Sequence, residues 1–144
     1  MDKVPEILLV EDEELDATLI KRGFRDCGHP VNVHQVSDGS ACIQFLQKGE
    51  GYEDAPVPDL ILLDINLPVM NGREILQKIW ETEGLRRLPV VVLSGSESDL
   101  DVHDMYQLRC NTYIIKPTSQ EGYREMIKKL YNYWFEVVLL PPTT

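Results

Sequence analysis

Four consecutive apolar residues, Leu60-Ile61-Leu62-Leu63, run straight into an aspartate, Asp64. A strand with one wet face alternates apolar and polar side chains, whereas an unbroken apolar run has both faces covered. Covering both faces of a strand requires layers on each side of its sheet. Among folds of ordinary size that means a parallel sheet with helices above and below. Leu88–Leu93 makes the same demand a second time.

The rest of the chain supplies the matching parts. Apolar runs alternate with amphipathic stretches five times. Glu6–Val10 predicts a strand, and the acids Glu11-Asp12-Glu13-Glu14 end it and suit the positive N-terminal end of a helix dipole. That helix extends to about Asp26 with Leu15, Leu19, Ile20 and Phe24 near helical spacing, and Cys27-Gly28-His29-Pro30 stops it. Val31–Val36 predicts the second strand, Asp38–Lys48 the second helix and Gly49–Pro58 a surface loop. After Asp64–Asn71 a third helix is expected from Gly72 to about Glu83, then a fourth at about Asp99–Arg109. Thr112–Ile115 is the fifth strand, and Thr118-Ser119-Gln120-Glu121 fits a capping box opening a fifth helix that reaches about Phe135 or beyond. Five strand–helix units joined by short connections predict a single doubly wound α/β domain with strand order 2-1-3-4-5. In that topology ligands bind outside the carboxyl ends of the strands.

The chain has 144 residues and a formal net charge of −10, enough length for one domain and its core. The acidic balance argues against nucleic-acid binding and against docking on an anionic membrane, since both need a basic footprint. No apolar run reaches the length of a membrane span, and the N-terminus lacks a signal-peptide pattern. Cys27, Cys42 and Cys110 are odd in number and scattered, which reads as reduced thiols and a cytoplasmic location.

The chemistry is concentrated at the strand ends. Glu11 and Asp12 come directly after the first strand, Asp64 ends the third, Ser94 closes the fourth and Lys116 the fifth. Polar residues at strand ends are ordinary one by one, but three acids, a hydroxyl and an ammonium at one rim are not. Two carboxylates about 5 Å apart repel by about 3 kcal/mol at an effective dielectric near 20, so the cluster needs more positive charge than one lysine supplies. A divalent cation with oxygen ligands closes the deficit. Mg²⁺ fits best, since it uses one or two carboxylates and keeps its other positions for water or phosphate oxygens. His29, His34 and His103 show no zinc-ligand spacing. A carboxylate beside a metal and a lysine is suited to attack on phosphorus, which makes Asp64 the candidate nucleophile and Ser94 a candidate donor to a phosphoryl oxygen.

These residues sit in Leu9-Val10-Glu11-Asp12, Leu62-Leu63-Asp64-Ile65-Asn66-Leu67-Pro68-Val69-Met70-Asn71-Gly72, Val91-Val92-Leu93-Ser94-Gly95 and Tyr113-Ile114-Ile115-Lys116-Pro117. In that order the segments resemble the receiver domains of two-component response regulators, and the resemblance spans essentially the whole chain. It implies a flavodoxin-like (βα)5 fold, with residues 1–135 as the receiver and 136–144 as a C-terminal extension. It also implies that Asp64 is the phosphoacceptor for a sensor histidine kinase, and that the protein is a switch assisting its own Mg²⁺-dependent phosphorylation and dephosphorylation rather than an enzyme. By the same resemblance Asp12 and Asp64 are direct metal ligands, Glu11 acts through a metal-bound water, and Asn66 contributes its backbone carbonyl. Ser94 and Tyr113 are the switch pair, Lys116 contacts the phosphoryl group, and Pro117 matches a proline that often comes next through a cis bond. Gly95 stands where alanine is commoner.

The acidic loop Glu50–Pro58 and the tail Tyr133-Trp134-Phe135-Glu136-Val137-Val138-Leu139-Leu140-Pro141 resemble most the stand-alone response regulators of cyanobacterial phytochromes. That implies a phytochrome-type kinase as phosphodonor and an unidentified protein target downstream. The segment after Lys116 has room for one helix and a short extension, so output is expected through protein contact. Its end is apolar all round, which predicts a homodimer contact through Tyr131, Trp134, Phe135, Val138 and Leu139. Two other readings compete with the switch. One is a pseudo-receiver, a dimeric module indifferent to phosphate. The other is a haloacid-dehalogenase-type phosphohydrolase, which needs a second acid where this chain has Asn66.

Overall fold

A computed structural model describes residues 3–68 and 70–142, so Met1, Asp2, Val69 of the second motif and Thr143-Thr144 of the extension lie outside the described residues. Five parallel strands, β1 (Glu6–Val10), β2 (Asn32–Val36), β3 (Leu60–Asp64), β4 (Val90–Ser94) and β5 (Thr112–Ile115), stand in the order β2-β1-β3-β4-β5. Between and after them come α1 (Glu14–Asp26), α2 (Gly39–Gln47), α3 (Gly72–Glu81), α4 (Asp99–Gln107) and α5 (Gln120–Tyr131). The expected order and class hold. β3 and β4 are buried at every position, as their unbroken apolar runs required.

Alternate residues of each central strand feed two cores. On one face Leu8, Ile61, Leu63 and Val92 meet α2, α3 and α4 through Phe45, Ile75 and Met105. On the other, Ile7, Leu9, Leu62 and Leu93 meet α1 and α5 through Ile20, Phe24, Tyr123 and Ile127. α1 and α5 approach closely because α1 carries Gly23 at the crossing, where a Cβ would lie 2.7 Å from Ile127 Cγ1.

Two local expectations are corrected. Leu15 is 68% exposed: the buried stripe of α1 is Ala17, Ile20 and Phe24, and Leu15 stands about 200° round the helix from Ala17 at ~100° per residue. α5 begins one residue later than the capping-box reading placed it. Ser119, not Thr118, accepts the Gly122 N–H, and with glycine at the third helical position no side chain can return the bond. A reciprocal box forms instead at α3, between Asn71 and Glu74. Trp80 of α3 is exposed, with the Arg109 guanidinium 4.1 Å and the Arg86 guanidinium 5.4 Å from its ring centre.

Beyond Tyr131 the helix changes its winding. α5 loosens into a π-helical turn, Asn132–Val137, closed by the Val138 N–H on the Tyr133 carbonyl at 2.9 Å. The wider turn seats Trp134 in the second core at 9% exposure, with Phe135, Val138 and Leu140 against it. Tyr131 stacks on His29 at 4.5 Å, His29 faces Glu136 at 3.4 Å, and Arg87 Nε donates to the Pro142 carbonyl at 3.0 Å. Of the residues expected at a dimer contact, Trp134, Phe135 and Val138 therefore cover the chain's own core, Tyr131 is half-buried, and Leu139 at 96% exposure points outward.

Candidate functional site

The register of the sheet assembles the site. Val10 stands opposite Val36 on one side and Leu63 on the other, so the next residues, Glu11 and Asp64, emerge side by side. Asp64 is paired with Leu93 and Ser94 with Ile115, so Ser94 and Lys116 emerge beside them at the same rim. The rim is tied together by main chain, with the Lys116 N–H on the Ser94 carbonyl at 2.7 Å and the Glu11 N–H on the Val36 carbonyl at 3.0 Å.

Oxygens of Glu11, Asp12 and Asp64 all lie within 4.8 Å of one another. Glu11 is 1% exposed and Asp64 5%, while Asp12 is open to solvent. The Lys116 ammonium reaches into the group, 2.9 Å from Glu11 Oε1 and 3.4 Å from Asp64 Oδ2. Glu11 Oε1 is fully buried and, although close to the ammonium, has no partner in hydrogen-bond geometry. Burial, opposed by Lys116 and reinforced by the neighbouring Asp64, pushes the Glu11 carboxyl up to about 7. Burial alone would lower the Lys116 ammonium, but Glu11 and Asp16, then Asp64, outweigh it and hold it above its ordinary value. Together these shifts describe a site with more carboxylates than one lysine can neutralise. A hard cation suits this donor set, because it would take up the orphaned Glu11 oxygen and offset the excess negative charge.

Around the cluster the predicted switch residues form a chain of hydrogen bonds. Ser94 is fully buried, and its Oγ accepts the Ser96 N–H at 3.1 Å. The Ser96 carbonyl accepts the Tyr113 hydroxyl at 2.9 Å, and the Ser96 hydroxyl donates to Asp101, which Arg73 of α3 also binds at 2.6 Å. The Asn66 N–H donates to Asp64 Oδ1 at 3.1 Å and steadies the carboxylate, while Asn66 itself is exposed. The close return of this loop requires Gly72, whose Cβ would lie 2.6 Å from the Ile65 Cα. The described chain has no cis peptide bond, so Pro117 is joined to Lys116 through a trans bond, contrary to the expectation drawn from the resemblance.

Two functional neighbours were missed from sequence. Asp16 Oδ2 is 2.9 Å from Lys116 Nζ, and Asp16 Oδ1 accepts the Tyr123 hydroxyl at 3.1 Å. Burial first, then the Asp16 carboxylate, push the Tyr123 hydroxyl up to about 12, so it stays a donor. Asp16 lies in the first turn of α1, a position from which an acid can face back over the β1 end. Its meeting with Tyr123 depends on the α1–α5 crossing, which no local pattern announces.

Residues 7–128 match the response regulator receiver domain family. The chain belongs to that family. Receiver domains are signalling proteins of two-component systems, and those of this kind are phosphorylated by histidine kinases. The chain is 38% identical to the response regulator Rcp1 of Synechocystis sp., over 94% of its own length and 92% of that protein's. It is 39% identical to a probable methanogenesis regulatory protein, FilR2, of Methanothrix harundinacea, over 89% of this chain and 82% of that one. Among solved structures, the phosphorylated cyanobacterial phytochrome response regulator RcpA superposes with a TM-score of 0.92 at 36% identity, covering 97% of this receiver and all of RcpA. Rcp1 in its Mn²⁺-bound form superposes with a TM-score of 0.88 at 38% identity, covering 96% and 99%. Among the described residues no helix is long and apolar enough to cross a membrane.

Proposed function

We propose that this receiver accepts a phosphoryl group on Asp64 from a phosphohistidine of a sensor kinase, one of phytochrome type. The observation that carries the reading is the convergence of Glu11, Asp12 and Asp64 around a partly buried ammonium 3.4 Å from the Asp64 carboxylate. Asp12, Asp64 and the Asn66 carbonyl would hold Mg²⁺, with Glu11 behind them. Bound there, the ion supplies positive charge that lowers the cost of bringing a phosphoryl group to a carboxylate. An Asp64 oxygen bonds to phosphorus as the phosphorus–nitrogen bond breaks, and the electron pair returns to the imidazole, which takes up a proton. The Lys116 ammonium meets charge on the phosphoryl oxygens, and the Ser94 hydroxyl is placed to donate to one of them. A turn of the Ser94 side chain toward that oxygen would draw its Oγ from the Ser96 N–H and loosen the loop that anchors the Tyr113 hydroxyl. That couples Asp64 chemistry to the α4–β5–α5 surface through two pre-existing arrangements.

Retention of every acid and of Lys116 counts against a phosphate-indifferent pseudo-receiver, and an exposed amide at Asn66 counts against a phosphohydrolase. Output passes through protein contact, including a second copy of the chain. Leu139, Val137 and Tyr133 form the outward apolar face, over Tyr131, Trp134, Phe135 and Val138 beneath. Intact-mass measurement after acetyl phosphate and Mg²⁺ should show one added phosphoryl group in wild type and none in Asp64→Asn. A wild type that takes none from acetyl phosphate or from candidate kinases would refute the reading. Light scattering of Leu139→Asp should show loss of dimer, and an unchanged dimer removes the tail from the interface.

A further inference from the structure

Lys116 is gripped from outside the cluster that would hold the cation. Asp16 lies 2.9 Å from the ammonium but is not one of the three converging carboxylates, and its second oxygen is fixed by the Tyr123 hydroxyl at 3.1 Å. Resting on the phosphoacceptor reading, we propose that Asp16, clamped by Tyr123, is the positioning residue that keeps Lys116 aimed at the incoming phosphoryl group once the cation has claimed Glu11 and Asp64.

Three carboxylates share the one ammonium, Glu11 and Asp16 at 2.9 Å and Asp64 at 3.4 Å. A cation held by the Glu11–Asp12–Asp64 group neutralises two of the three, and their pull on Lys116 falls accordingly. Conversion of Asp64 to an acyl phosphate removes the carboxylate there altogether. Asp16 alone keeps its full charge beside the lysine throughout. Lysine is a point charge on a flexible four-carbon stem, so with no fixed partner it samples many rotamers. Held by one carboxylate, it retains N–H groups free for a phosphoryl oxygen. The grip is rigid because Asp16 and Tyr123 sit on α1 and α5, whose crossing is locked where Ile127 fills the space left by Gly23. Asp16 thus acts through Lys116 and touches neither the cation ligands nor the reacting atoms.

The test is the rate of phosphorylation by acetyl phosphate, monitored by intact mass across an Mg²⁺ titration. It compares wild type, Asp16→Asn, Tyr123→Phe, Lys116→Met, the Asp16→Asn/Lys116→Met double variant and Glu14→Gln, a control acid in the same helical turn. Asp16→Asn should lower the rate at saturating Mg²⁺ about tenfold while leaving the half-saturating Mg²⁺ within about twofold, and Tyr123→Phe should lower it about threefold. Added to Lys116→Met, Asp16→Asn should cost nothing further, and Glu14→Gln should match wild type. The inference is overturned if the saturated rate of Asp16→Asn equals wild type, if extra Mg²⁺ restores it, or if the loss repeats in full in the Lys116→Met background. Should Asp16→Asn fail to fold, Tyr123→Phe with and without Lys116→Met decides the same question. A wild type that accepts no phosphoryl group overturns the phosphoacceptor reading and this inference together. Variants indistinguishable from a phosphorylated wild type overturn only the role of Asp16.

Discussion

Trp134 is the sharpest probe of where the tail belongs. It is 9% exposed in the core shared by α1, α5 and the central strands, although it lies beyond the regular part of α5. A tryptophan buries about 200 Å², and at ~25 cal/mol per Å² that is about 5 kcal/mol of apolar burial. Alanine keeps part of this, and a segment near the chain end can partly collapse into the gap. Trp134→Ala should therefore cost about 3 kcal/mol, the lower end of the range for such truncations. With a urea slope of about 2 kcal/mol per molar for a domain this size, the midpoint should fall by about 1.5 M. The melting temperature should fall by about 6–12 °C. The same measurement on Leu139→Ala, which is 96% exposed, should give a change within about 0.5 kcal/mol. Both unfolding curves should be recorded at two protein concentrations a hundredfold apart. A tail that folds back gives a Trp134→Ala loss independent of concentration. A loss below about 1 kcal/mol, or one present only where wild type is dimeric, would refute the account of Trp134 as a core residue.

Mg²⁺ should stabilise wild type, by about 2.7 kcal/mol at a hundredfold excess over its dissociation constant, in thermal or urea unfolding. Asp64→Asn should be more stable than wild type without metal, because it relieves the crowding that lifts Glu11, and should gain far less from Mg²⁺. Gly72→Ala should lose about 1–3 kcal/mol by urea unfolding and weaken Mg²⁺ binding by calorimetry, since its Cβ presses on the Ile65 backbone next to Asn66 and its carbonyl. Burial pushes the Cys42 thiol up to about 12 and Cys110 up to about 11, so a thiol reagent at pH 8 should label half-exposed Cys27 first and the other two only on unfolding. The unfolded chain releases those two protons first as pH rises above about 9 while the fold retains them. Stability should thus be complete below that pH and fall toward pH 11, less steeply in Cys42→Ala corrected for its own cavity cost.

How much was legible in advance depends on the range of each interaction. β3 could be read because burial on both faces leaves a mark in consecutive residues. Asp64, Ser94 and Lys116 could be read because a parallel sheet turns sequence order into a rim. Asp12 was read at the same rim, whereas Asn66 came only from the family resemblance. The tail could not be read in full because an all-round apolar end has two physical solutions, a partner or a fold-back, which composition does not distinguish and which one segment can combine. The fold-back part rests on the π-helical turn. It rotates Trp134 and Val138 inward and leaves Leu139 out, a change of helical phase with no signature in the pattern of apolar residues. Leu15 failed for a related reason, since its apolar side chain satisfied the periodicity while the α1 stripe was set by Ala17, Ile20 and Phe24.

Asp16 shows what a rim-based reading leaves out. Strand ends identify the groups that face one another across the sheet, but they are silent on what a covering helix contributes from above. α1 begins immediately after the acids of β1, so its first turn overhangs the same rim, and α5 starts just beyond Lys116. Any polar side chain at the facing edges of those helices is forced into the electrostatics of the cluster. Here one such edge provides a carboxylate and the other a hydroxyl to hold it, joined by a hydrogen bond spanning most of the chain. The consequence is physical continuity from the reacting carboxylate, through Lys116 and Asp16, to the helix that bears the tail. On the proposed phosphoacceptor reading, a shift of Lys116 toward a phosphoryl oxygen would change the load on Asp16 and hence on Tyr123 of α5. On that reading the surface that α5 and its extension present would be joined to the site by contacts separate from the Ser94–Ser96–Tyr113 chain.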